Sequence, residues 1–186
     1  MAHNHVFVVR HGESENNLLG IDSTKLENKN QFGLSENGRK EIETEAKKYR
    51  DFDLIITSPF RRTKETAMIF ARNSQCEIIE NALLKEVCVG DLELCTYAVT
   101  DAFLEKYHDE SVPYPNGESL LDAKNRAMEF VHHLHQTYDN KKILIVTHGH
   151  IVLFLQEQLD PTFNRMKAMK EYDDANSRKV IDLCQS

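Results

Sequence analysis

Two histidines of this 186-residue chain stand in the same setting. His11 follows Val6-Phe7-Val8-Val9-Arg10 and precedes Gly12, and His148 follows Ile143-Leu144-Ile145-Val146-Thr147 and precedes Gly149. Each imidazole comes at the end of a short apolar run of strand character. Imidazole is the side chain whose ordinary pKa lies near neutrality, so it serves there as acid, base or nucleophile. Arg10 adds a cation beside the first. A third run, Leu54-Ile55-Ile56-Thr57, leads through Ser58-Pro59 to Arg61 and Arg62 at a helix start, where guanidinium groups and backbone N–H groups together favour an anion. Open α/β sheets bind ligands at the carboxyl ends of their strands. The three strand ends therefore predict one polar pocket for a small anion.

The elements that must position these residues follow from periodicity. Val6–Val9, Leu54–Thr57, Cys76–Ile79 and Ile143–Val146 are strand candidates, and Val180–Leu183 is a weaker fifth. Helical patterns lie between them at about 36–50, 59–72, 97–108, 119–138 and 149–158, each long enough for a crossover connection. Ser58 is expected to cap the second of these, with Pro59 at its first position, and Ser119 with Asp122 marks the start of the fourth. The expectation is an α/β three-layer sandwich, a mostly parallel central sheet with helices on both faces, forming a single domain over 1–186.

Composition narrows the function. Hydrophobic residues make up 40% and charged residues 28%, with nine Phe and six Tyr, as in an ordered globular chain. Thirty acidic against 23 basic residues leave a net charge of −7, which repels nucleic acid and anionic membranes, so neither is expected as a partner. The longest apolar run, Ile151–Leu155, is far too short to span a bilayer, and no secretory signal is visible at the start. A cytoplasmic location is expected, with Cys76, Cys88, Cys95 and Cys184 reduced. His132, His133 and His135 read as a solvated helix face, and His3, His5 and His150 are given no role. Ser14 and Ser58 lack the frame of a serine nucleophile. With no Walker loop, dinucleotide glycine fingerprint or metal-ligand cluster, no cofactor and no metal are expected.

Six segments in order resemble the histidine phosphatase superfamily, also called phosphoglycerate-mutase-like. They are Val9-Arg10-His11-Gly12-Glu13 with Asn17; Leu34-Ser35-Glu36-Asn37-Gly38-Arg39; Ser58-Pro59-Phe60-Arg61-Arg62-Thr63-Lys64-Glu65-Thr66-Ala67; Leu84-Lys85-Glu86 with Gly90-Asp91; Gly117-Glu118-Ser119; and Val146-Thr147-His148-Gly149. The resemblance implies that His11 is the nucleophile and forms a phosphohistidine, and that Arg10, Asn17, Arg62 and Gly149 hold the phosphoryl group. It implies that His148, when protonated, donates to the phosphoryl oxygens and that Glu86 protonates the leaving alcohol. Arg62 rather than Arg61 occupies the family position, four residues before Thr66, which leaves Arg61 for solvent or the substrate tail. The chain departs from the family in a longer 18–33 loop and at Leu94, where relatives often carry glycine. The 38 residues after His148 lack the lid-like tail of true mutases.

Three functions compete at this point. The first is a phosphatase acting on a small phosphorylated metabolite, the second a phosphoglycerate-mutase-type phosphoryl transferase, and the third a non-catalytic phospholigand-binding protein. The identity of the substrate and the oligomeric state are not legible in the sequence.

Overall fold

The computed structural model describes residues 4–160, 162–170 and 178–183. In chain order the elements are β1 (His5–Arg10), α1 (Glu15–Leu19), α2 (Glu36–Ala46), β2 (Leu54–Thr57), α3 (Arg61–Ser74), β3 (Glu77–Glu80), α4 (Tyr97–Tyr107), α5 (Leu120–Thr137), β4 (Lys142–Thr147), α6 (Gly149–Leu159), α7 (Arg165–Lys170) and β5 (Ile181–Asp182). The strands form one sheet in the order β3-β2-β4-β1-β5, parallel throughout except for the antiparallel β5 at the edge of β1. The expected sandwich is present.

Alternation along the strands sends successive side chains to opposite faces, and each face has its own helices. Val6, Val8, Leu54, Ile56, Ile143 and Ile145 pack beneath α5 and α6, against Ala127, Phe130, Leu134, Ile151 and Phe154. Phe7, Val9, Ile55, Leu144 and Val146 pack beneath α2 and α3, against Ile42, Ala46, Ala67 and Phe70. Burying each of the larger side chains contributes about 1.5–3 kcal/mol, so the central strands β1 and β4 are clamped from both sides. Their register sets Arg10 beside Thr147, which brings His11 and His148 out at the same edge.

Local chemistry sets the boundaries. Ser119 and Asp122 make the reciprocal cap expected at the start of α5, and the Ser35 hydroxyl accepts from the Gly38 N–H at the start of α2. Gly38 also lets α2 lie against the β1–α1 turn, because a Cβ there would stand 2.1 Å from the Glu13 carbonyl oxygen. The expected start of the second helix at Pro59 is corrected. Helix α3 begins at Arg61 with Phe60 as its cap, and the Ser58 hydroxyl, expected to cap it, is taken instead by His148. The helix expected over 36–50 ends at Ala46, and Asp51 has a left-handed φ of 60°. Helices α1 and α7, of five and six residues, are too short for periodicity to reveal. No helix among the described residues is long and apolar enough to cross a membrane. His3 and Cys184 lie outside the described residues.

Candidate active site

The carboxyl ends of β1, β2 and β4 open into a cavity of about 540 Å³ lined by Arg10, His11, Asn17, Arg62, Glu86, His148 and Gly149, all seven of the expected site residues. His11, Arg62 and His148 are almost wholly buried. The two imidazole rings stand edge to face with centroids 5.3 Å apart.

Arg62 lies between them. Its Nε–H donates to His11 Nε2 at 3.2 Å, and its Nη2 donates to His148 Nδ1 at 3.2 Å and to the Ser23 carbonyl at 2.9 Å. Guanidinium only donates, so each contacted ring nitrogen carries a lone pair. The His11 proton therefore sits on Nδ1, which donates to the Gly12 carbonyl at 2.7 Å, leaving the lone pair on Nε2. The His148 proton sits on Nε2 and is donated to Ser58 Oγ at 2.8 Å. Gly12 earns its place by close approach, since a Cβ there would lie 2.6 Å from Ile42 Cγ1 and 2.8 Å from the Gly38 oxygen.

The electrostatics agree with these tautomers. Burial, then Arg62 and Arg10, hold the His11 imidazole well below its usual range, so it is neutral near pH 7. Burial, then Arg62, His11 and Arg10, do the same for His148. Burial also pushes Arg62 down to about 10, which still leaves it charged. Among the described residues Arg62 forms no ion pair within contact distance; the Glu86 charge favours it from across the cavity, and the buried Phe60 ring lies 4.6 Å from its guanidinium carbon. A buried cation facing two lone pairs and a carbonyl is a site prepared for an anion.

Glu86 approaches from the opposite wall. Its carboxylate accepts from the backbone N–H of Val87 at 2.9 Å and of His150 at 3.3 Å, and lies 3.6 Å from His150 Nδ1. Burial pushes the Glu86 carboxyl up, but His150 and the two backbone N–H groups outweigh it and bring it down to about 2. Burial lowers His150, but Glu86 and Asp22 raise it on balance. The pair therefore shares one proton, held on the imidazole. Asn17 lines the cavity while its Oδ1 accepts from the Ser14 N–H and hydroxyl and its Nδ2 donates to Tyr97 Oη. One amide hydrogen of Asn17 remains for a ligand. Gly149 lines the cavity as the first residue of α6, and the next N–H, of His150, is taken by Glu86.

Residues 6–175 match the family model of the histidine phosphatase superfamily, branch 1. The chain belongs to this superfamily. It is similar to the uncharacterised phosphatase PhoE of Bacillus subtilis (strain 168), with 34% identity over 146 residues that cover 77% of this chain and 71% of that one. It is also similar to a probable phosphoglycerate mutase, GpmB, of Serratia proteamaculans (strain 568), with 28% identity over 152 residues, 77% of this chain and 69% of that one. Its fold matches the crystal structure of a putative α-ribazole-5′-P phosphatase from Escherichia coli, with a TM-score of 0.75 at 19% identity, covering 96% of this chain and 93% of that one.

Within this histidine phosphatase, several residues complete the site that sequence reasoning passed over. His150, without a role in the sequence pattern, lines the cavity and holds Glu86; its Gly-His context resembles a turn, and only the fold brings Glu86, 64 residues earlier, against it. Arg126 reaches from α5 to the carbonyls of Leu83 at 2.6 Å and Lys85 at 2.8 Å and pairs with Glu118 at 3.0 Å. Glu118 in turn accepts from the Cys88 N–H at 3.0 Å, and the Thr147 hydroxyl donates to the Leu84 carbonyl at 2.7 Å. These bonds fix the backbone on both sides of Glu86. Arg61 points away from the cavity, exposed and paired with Glu65 at 2.8 Å, whereas Arg62 lines it. His132, His133 and His135 lie on the exposed face of α5, and no His, Cys, Asp and Glu cluster of metal-binding form occurs among the described residues.

Proposed function

We propose that this histidine phosphatase hydrolyses a small phosphomonoester in two steps through a phosphohistidine at His11. The observation that carries this reading is Arg62: a buried cation with no carboxylate in contact, aimed at the space between two neutral imidazoles. A phosphoryl group entering there takes the Arg62 N–H donors for its own oxygens and releases the His11 Nε2 lone pair. Arg10 and Arg62 offset the dianion charge that would otherwise repel the nucleophile. Asn17 and the Gly149 N–H hold the remaining oxygens.

His11 Nε2 attacks phosphorus as the ester P–O bond breaks, and the electron pair of that bond goes to the leaving oxygen. The proton that oxygen needs comes from the Glu86–His150 pair: Glu86 is ionised in the free cavity, and the approaching phosphate dianion favours transfer of the imidazole proton to the carboxylate and on to the leaving oxygen. The same dianion favours protonation of His148, which then donates to the phosphoryl oxygens as charge spreads in the transition state. In the second step Glu86 takes a proton from the water that attacks the phosphohistidine, and inorganic phosphate leaves. The test compares the parent with His11→Ala on p-nitrophenyl phosphate. Loss of turnover by more than about a thousandfold with an unchanged circular-dichroism spectrum is expected, and activity within about tenfold of the parent would assign the nucleophile elsewhere.

A further inference from the structure

The cavity extends past the reacting end, and its far wall carries charge of the opposite sign. That wall is built by the 18–33 loop and α4. The backbone N–H of Asp22 donates to the Cys95 carbonyl at 3.0 Å, the Leu94 N–H donates to the Asp22 carbonyl at 2.8 Å, and the Thr100 hydroxyl donates to Asp22 Oδ2 at 2.7 Å. Asp22 is thereby fixed from both segments. Asp101, the next residue of α4, lines the cavity beside it, with Tyr97, Leu104 and Tyr114 completing the wall. Among the described residues neither Asp22 nor Asp101 forms an ion pair, and the cations that line the cavity are Arg10 and Arg62 at the reacting end and His150, held by Glu86. Burial pushes the Asp22 carboxyl up, the Thr100 hydroxyl pulls it back, the Glu86 and Asp101 charges push it up and the protonated His150 pulls it down, so three carboxylates at this end face one imidazolium. A separate observation points to a ligand. The Ser23 hydroxyl, on a residue only 1% exposed that follows Asp22 and whose carbonyl takes Arg62 Nη2, lines the cavity where its two ends meet and has no hydrogen-bond partner among the described residues.

We propose that this wall is a cation subsite and that the substrate is the phosphate monoester of an amino alcohol, with one ammonium group and no second anionic group. The inference rests on the reading of the Arg10–Arg62 end as the phosphoryl pocket. Phosphate and ammonium then meet opposite charges at the two ends of one small-molecule cavity. Asp22 and Asp101 supply the counter-charge, Tyr97 and Tyr114 line the wall around it, and the Ser23 hydroxyl offers a hydrogen bond to the ligand where the two ends meet. An ester with a carboxylate or a second phosphate, such as a phosphoglycerate, would set its extra anion against two carboxylates that it cannot neutralise.

The test uses three esters of similar size: phosphoethanolamine with an ammonium group, ethyl phosphate with none, and phosphoglycolate with a carboxylate. The kcat/KM of the ammonium ester is expected to exceed that of the neutral ester by at least about tenfold, and the anionic ester is expected to fall at least about tenfold below the neutral one. Asp22→Asn and, separately, the exposed Asp101→Asn should each bring the ammonium-to-neutral ratio towards one, whatever the absolute rate. Equal or better turnover of the neutral ester, or a ratio untouched in both variants, would overturn the subsite. Calorimetric binding of the same three esters to His11→Ala reads the subsite without turnover. The same order with no hydrolysis by the parent would support the subsite and refute the phosphatase reading alone, while absence of the order would refute the subsite.

Discussion

Arg62 is the residue whose removal separates this account from one in which the cavity merely binds. Arg62→Met keeps most of the volume and removes the charge and the donors. Two of its N–H groups, at Nε and Nη2, reach the space between the imidazoles. A hydrogen bond to a charged group contributes about 1.5–3 kcal/mol, so two of them made to phosphoryl oxygens amount to about 3–6 kcal/mol. At about 1.4 kcal/mol per factor of ten, kcat/KM should fall by about two to four orders of magnitude on every phosphomonoester, aryl or alkyl. The same substitution has a pH signature. After burial, Arg62 is the first-ranking cause that lowers both His11 and His148, so without it both imidazoles move up towards 6.5. The nucleophile must be neutral, and the acid limb of the kcat/KM profile should therefore move to higher pH in the variant. Measuring parent and variant on one substrate cancels the ester's own ionisation. A loss below about tenfold, or an acid limb that stays put or moves to lower pH, would refute the reasoning.

Two further outcomes follow from the surroundings of the site. Glu86→Gln keeps size but cannot pass on the proton held by His150, so alkyl phosphates should lose at least about a hundredfold in kcat while p-nitrophenyl phosphate, whose leaving oxygen needs little protonation, loses far less; equal losses in steady-state assays would reject the assignment. Leu94 carries a left-handed φ of 63° and is 42% exposed, so Leu94→Gly should relieve about 1 kcal/mol of backbone strain, partly offset by chain entropy, and calorimetry should show a melting temperature unchanged or raised by a few degrees, with a fall of several degrees contradicting this.

Residues positioned by strand ends were legible in the chain, and residues positioned by through-space pairing were not. His11 and His148 follow uninterrupted apolar runs that became β1 and β4, and parallel register carried both to one edge. Arg62 was separable from Arg61 only through the resemblance, and the structure gives the reason: one step along α3 turns Arg61 outward to Glu65 while Arg62 faces the sheet edge. Ser58 looked like a helix cap because Ser-Pro commonly is one, yet a buried imidazole N–H needed an acceptor and took its hydroxyl. The far wall was the least legible part. The 18–33 loop has no periodicity, and its conformation depends on bonds to a segment 65 to 80 residues away, including the Glu93 carboxylate that accepts from the Thr24 N–H and from Asn28 at 2.8 Å each. Leu94, which departs from the family glycine, kept the left-handed backbone there and not the residue suited to it.

The central claim is a covalent bond between phosphorus and His11 Nε2. The most direct measurement is rapid acid-free quenching of the enzyme during turnover of p-nitrophenyl phosphate, followed by mass spectrometry of the peptide that contains His11. Phosphate is expected on His11, labile to acid and stable to alkali, building up within one turnover, decaying at the rate of phosphate release and absent from His11→Ala. Full turnover with no phosphate on that peptide at any quench time, or with phosphate on His148 or on a serine instead, would contradict it.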